Sequence, residues 1–261
     1  MKNRGFALAA AAFAGALFGG MQLLLEVGRQ LGERDIAVHG AGARAGVGIV
    51  DGAVFGLLGL LVAFSFSGAA TRFDNRRGLV AQQVTAMGVA WQRLDLLPLE
   101  RRDALRSGFR RYLDALLVEY SSPTDRAAAY RENATVRSAR ETLWAEAVAV
   151  CLTPSGDAAR MLLLPALNEV FSAVERERLA RRIHPPRVIY AMLTLTALAT
   201  ALFAGYGMAN VPTRNWVYII GVAGTISIAV YVVLELEYPR RGLIRLDAMD
   251  QALVDLRTTM G

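Results

Sequence analysis

The sequence predicts an all-α integral membrane protein, with four transmembrane helices in two hairpins and a helical domain between them. Three observations predict it. The 261 residues are 54% hydrophobic, above the usual share for a water-soluble domain. The apolar residues gather in four blocks, and a long, strongly charged stretch separates the second from the third. No segment sustains the alternation of a half-buried strand.

The first block, Gly5 to Leu25, is about 21 residues long, enough to cross about 30 Å of hydrocarbon as a helix. Lys2 and Arg4 precede it, and Ala12 and Ala14 resemble a signal-peptidase site. The apolar run continues through Leu23, Leu24 and Leu25, past any such site, so an uncleaved span is expected. The second block, Gly46 to Ala70, holds one charge, Asp51. The third, Val188 to Ala209, follows the breaker Pro185–Pro186. The fourth, Trp216 to Leu234, has Trp216, Tyr218, Tyr231 and Tyr238 near its ends, where amphipathic rings favour the interface. Domain bounds follow at 1–71, 72–184, 185–236 and 237–261.

Net charge is +6, and Lys2 is the only lysine. The arginines cluster beside the apolar blocks, at Arg72, Arg76 and Arg77, at Arg181, Arg182 and Arg187, and at Arg240 and Arg241. This is the pattern of the positive-inside rule; no aromatic-interleaved basic face points to nucleic acid. The N-terminus, the middle domain and the C-terminus are expected in the cytoplasm. Against this orientation, the first connection, Glu26 to Ala45, carries Arg29, Arg34 and Arg44.

Residues 72–184 read as helices. Val80, Val84, Met87, Trp91 and Leu94 form one apolar stripe, ended by Pro98. Leu105, Phe109, Tyr112, Leu116 and Tyr120 form the next, broken by Ser121–Ser122–Pro123. Two further helices run from about Asp125 to Leu152 and from Asp157 to Arg182. These helices make a small bundle, or the first of them continues the second span, since no proline intervenes between Gly46 and Leu97.

On the second span, Gly48, Gly52, Gly56 and Gly59 share a face with Ala63 and Ala70, a helix-packing surface. Beside it runs a stripe of Asp51, Phe55, Leu58, Val62 and Ser65, the pore-lining candidates. Asp51 marks the mouth of a pore, or sits at the interface paired with an arginine such as Arg44. Rings of Phe55, Leu58 and Val62 around a symmetry axis would form a constriction that gates by dewetting; otherwise these side chains face lipid or another helix. Arg72, Asp74, Arg76 and Arg77 are candidates for a cytoplasmic vestibule.

No metal spacing, nucleophile motif or phosphate loop is present, so no cofactor, no metal and no enzymatic activity are expected. Cys151, the only cysteine, reads as a buried apolar residue. Asn133-Ala134-Thr135 matches a glycosylation triplet within the expected cytoplasmic domain.

The stretches Phe66-Ser67-Gly68-Ala69-Ala70-Thr71-Arg72-Phe73-Asp74-Asn75-Arg76-Arg77, Arg93-Leu94-Asp95-Leu96-Leu97-Pro98, Leu164-Pro165-Ala166-Leu167-Asn168-Glu169 and Leu236-Glu237-Tyr238-Pro239-Arg240-Arg241-Gly242 resemble the signature of the bacterial bestrophin-like family, whose function is unknown. Gln82-Gln83-Val84-Thr85 departs from that pattern, which is acidic and then asparagine. The family is distantly similar to bestrophin channels, which share the order of two spans, helical domain and two spans. That resemblance implies a homo-oligomer, a pentamer by analogy, conducting inorganic ions through a pore lined by the second span, with Phe55, Leu58 and Val62 as a neck. Its alternative is a non-conducting scaffold or sensor whose helical domain binds a cytoplasmic partner.

Overall fold

The computed structural model describes residues 4–40, 47–121, 126–152, 157–210, 215–238 and 247–261. Among the sequence features named above, Lys2, Arg44, Ser122–Pro123 and the Arg240–Arg241 cluster lie outside them. Among the described residues there is no strand. The helices are α1 (Arg4–His39), α2 (Val47–Arg93), α3 (Leu99–Ser121), α4 (Arg126–Cys151), α5 (Asp157–Arg182), α6 (Arg187–Gly207), α7 (Trp216–Glu237) and α8 (Asp247–Thr259). Four of the helical stretches are long and apolar enough to cross a membrane, and the chain is an all-α, multi-pass membrane protein.

Two helices run past the ends of their apolar blocks. The first span does not end at Leu25: α1 has 36 residues, about 54 Å at 1.5 Å per residue, and absorbs most of the expected first connection. Its polar end is held by pairs one turn apart, Arg29 with Glu33 at 2.9 Å and His39 with Asp35 at 2.9 Å. The second span runs on without a break into the charged stretch, so α2 has 47 residues, about 70 Å. Pro98 stops it, as Pro cannot be preceded comfortably by helical backbone.

The chain divides into two compact units, residues 1–73 with 184–244 and residues 74–183 with 245–261. In the first, α1 packs on α6 and α7. The closest approach is backbone to backbone. Gly28 faces the carbonyl of Leu202, Gly205 faces the carbonyl of Leu25, and a side chain at Gly32 would meet the Tyr206 carbonyl at 2.8 Å. Only glycine permits such contact, the usual way helices associate where lipid removes the hydrophobic drive. Leu17, Met21, Leu193, Ala197, Ala201, Ala223 and Val230 fill the interior.

In the second unit the two predicted stripes form the core. Val80, Met87, Leu94, Phe109, Leu113 and Leu116 are fully buried, with Leu143, Leu163, Leu167 and Val170 from α4 and α5. Leu253 of α8 joins this core. Arg110 fixes the end of α8 by donating to the Met260 carbonyl at 2.9 and 2.7 Å, and Arg257 donates to Asp114 at 2.7 Å. Trp91 lies against Phe109 and beneath the guanidinium groups of Arg106 and Arg110.

Candidate pore helix and its anchors

The apolar part of α2 is the least covered span: 6% of its most apolar window is buried, against 22% for α1 and 28% for α7. The side that does pack within the chain is the stripe expected to line a pore. Leu58 is 2% exposed, seated among Leu17, Met21, Leu193 and Ala223. Val62 packs against the same cluster, and Phe55 borders a small apolar cavity with Met21, Leu25 and Ala201. Asp51 and Ser65 are half-buried on this side. Asp51 lies against the end of α6, where a side chain on Gly207 would meet its Oδ2 at 2.7 Å. Leu58 is thus enclosed by helices of its own chain, the packed alternative that the sequence left open beside a neck. Helical periodicity defined the stripe, but it cannot say which side of a nearly all-apolar helix meets its own bundle.

The expected packing face is in turn open. Added side chains at Gly48, Gly52, Gly56 and Gly59 would meet nothing within 4 Å. The sector directly opposite Leu58 holds Ile49 at 80% exposure and Leu60 at 50%, with Gly56, Ala63 and Ser67 also exposed.

The vestibule candidates divide. Within the first unit, Arg72 donates from Nε to Glu237 Oε1 at 2.6 Å, and Glu237 is completely buried at the end of α7. Within the second unit, Arg76 is 3% exposed, and its guanidinium donates to the carbonyls of Ala180 at 3.5 Å and Ile183 at 3.0 Å. Those carbonyls belong to the last turn of α5 and the residue after it, where helical partners run out. Arg76 is thus a buried anchor of the α5 end. Asp74 and Arg77 are exposed and 3.5 Å apart, a pair of small energetic consequence.

A buried polar network follows the same side of α2. Gln83, fully buried, accepts from the Tyr120 hydroxyl at 3.0 Å, and that hydroxyl lies 3.4 Å from Glu177 Oε2. Arg181 bonds Glu177 at 2.6 Å and stacks over the Tyr120 ring; Arg178 pairs with Glu119. Burial holds the Tyr112 hydroxyl well above the usual tyrosine range, despite Arg178 nearby. Gln83 stands at the departure from the acidic pattern noted in the sequence: a carboxylate there would confront Glu177 through one shared hydroxyl.

Sequence reasoning missed the glycine contacts of α1, the role of Glu237 and the anchoring role of Arg76. Gly28-Arg29-Gln30-Leu31-Gly32 carries the small-xxx-small spacing and offered a signal, although it lies beyond the first apolar block. Among the described residues no group of three or more His, Cys, Asp or Glu side chains is placed to hold a metal.

A family model described as a bestrophin-like domain matches residues 29–248. No curated protein and no solved structure matches the chain.

Proposed function

From the premise that this chain belongs to the bestrophin-like family, we propose that it is a homo-oligomeric ion channel with α2 around the central axis. The observation that carries the proposal is the bare side of α2. A span only 6% buried in its own chain, with a row of glycines that meet nothing within 4 Å, is built for close approach by neighbouring helices. Copies of the same chain supply those neighbours in a closed ring.

The own-chain bundle covers the Leu58 side, so the opposite sector faces the axis. Ile49, Gly56, Leu60, Ala63 and Ser67 line the conduction path, in place of Phe55, Leu58 and Val62. Leu60 and Ile49, both large and exposed, form the apolar constriction that controls wetting. The glycines on the flank, Gly52 and Gly59, set the distance to the next copy. Arg72 and Arg76, one turn apart, fix this helix to α7 and to the end of α5 respectively. The membrane is the bacterial inner membrane, with the arginine-rich unit and both termini cytoplasmic.

The test is ion flux into liposomes containing purified protein. Cysteine is placed at position 60 in a chain whose Cys151 is replaced by Ala. Charged thiol reagents are expected to change flux through Leu60→Cys and to leave Leu58→Cys unaffected. Absence of flux in several salts across a range of pH removes the proposal.

A further inference from the structure

The fully buried carboxylate of Glu237 lies between an arginine and a histidine from different parts of the first unit. On one side Arg72 of α2 donates to Oε1 at 2.6 Å. On the other, His184 Nδ1 stands 3.9 Å from Oε2. His184 is held in that position by stacking on Tyr238, with ring centroids 4.7 Å apart and planes at 27°. Tyr238 in turn touches Phe6 of α1 at 4.8 Å. His184 is a third exposed, whereas Glu237 has no exposure at all.

The surroundings are otherwise apolar. Ala69, Phe73, Tyr190, Val232, Val233 and Leu236 form the local cluster. Among the described residues, the groups placed against the Glu237 carboxylate are Arg72 from α2 and His184 from the segment entering α6; Tyr190 of α6 packs on the same local cluster, and Glu235, two residues back on α7, is itself 1% exposed. Tyr231 donates to Glu235 from its own helix. The group from α1, Phe6, is uncharged.

Imidazole is the side chain whose charge changes between about pH 8 and 5. An ion pair to a carboxylate shielded from water is worth more than the same pair at the surface. We propose that His184 and Glu237 form a proton-operated clamp. Protonated His184 closes onto Oε2 while Oε1 keeps Arg72, so that one carboxylate ties the entry of α6 to α2. Above the imidazole range this tie is lost and the Arg72 pair remains. The sign is fixed: the contribution of His184 is present at low pH and disappears as the pH rises.

The clamp is independent of conduction, and its test is read from stability. Thermal unfolding of the purified full chain in detergent is compared at pH 5.5 and 8.0. Relative to the parent chain, His184→Gln should unfold at least about 2 °C lower at pH 5.5 and nearly level with it at pH 8.0. His184→Phe, which keeps a ring on Tyr238 but carries no charge, should lose the same acid-dependent increment. In a Glu237→Gln background the acid-dependent effect of His184→Gln should vanish. His39→Gln, which removes the other histidine, should leave the increment in place. The proposal is overturned if His184→Phe matches the parent at pH 5.5, or if His184→Gln costs the same at both pH values. A Glu237→Gln chain that does not fold leaves His184→Phe to decide.

Discussion

Gly205→Ala is the most exacting single test of the first unit. At Gly205 the backbone of α6 meets the backbone of α1, so an added methyl overlaps the Leu25 carbonyl oxygen and lies 2.7 Å from its carbonyl carbon. Neither atom can turn aside as a side chain would. The two helices must separate by about 1 Å or more, and the loss spreads to the matching contact of Gly28 with Leu202. Overpacking in a well-filled interior costs about 1–3 kcal/mol; with main chain on both sides of the clash, the expected value is about 3 kcal/mol. The assay is reversible unfolding in mixed micelles by increasing SDS, followed by the loss of helix contacts. Gly56→Ala is the internal control, because nothing lies within 4 Å of that position in the chain, and its effect on unfolding of a single chain should be within about 0.5 kcal/mol. A Gly205→Ala protein within about 0.5 kcal/mol of the parent would refute the backbone contact.

Three further outcomes follow from the second unit. Arg76→Met should destabilise it by about 2–4 kcal/mol, since the carbonyls of Ala180 and Ile183 lose a buried charged donor; Arg76→Lys should not restore it, because one ammonium does not reproduce the guanidinium fork. Gln83→Glu should cost about 1–3 kcal/mol at neutral pH, as a buried carboxylate faces Glu177 across Tyr120. The new acid is favoured in its protonated form, so the lost stability should return as the pH falls, which chemical denaturation at pH 5 and 8 will detect. Cys151 should resist maleimide in the folded chain and react after unfolding, because it is 1% exposed and burial raises its thiol pKa, opposed only in part by Arg160.

Part of the helical order was legible because apolar side chains recur at three and four residues in two stretches of the second unit, whereas α8 was not foreseen. Val80, Met87 and Leu94, and likewise Leu105, Phe109 and Tyr112, are buried. The continuation of α2 across the edge of the apolar block was legible for a simpler reason, the absence of any proline before Pro98. The end of α1 was not. Hydropathy falls at Glu26, but the helix persists to His39 because pairs one turn apart and the glycine contacts with α6 sustain it. The facing of α2 was also beyond a single sequence. Its apolar residues surround the helix, so periodicity separates sectors without saying which one meets the rest of the chain; the burial of Leu58 decides that. Arg76 reads as one more interfacial arginine until the end of α5 is placed beside it. Glu237 lies in an acidic ending that hydropathy treats as solvent, yet Arg72 and His184 enclose it.

The account rests on which side of α2 meets other copies. The direct measurement is the mass of the purified complex together with disulfide trapping between single cysteines at positions 58 and 60, in a chain lacking Cys151. A closed ring of several copies, trapped through position 60 and not through position 58, is the predicted result. A monomer, or copies joined through position 58, would contradict it.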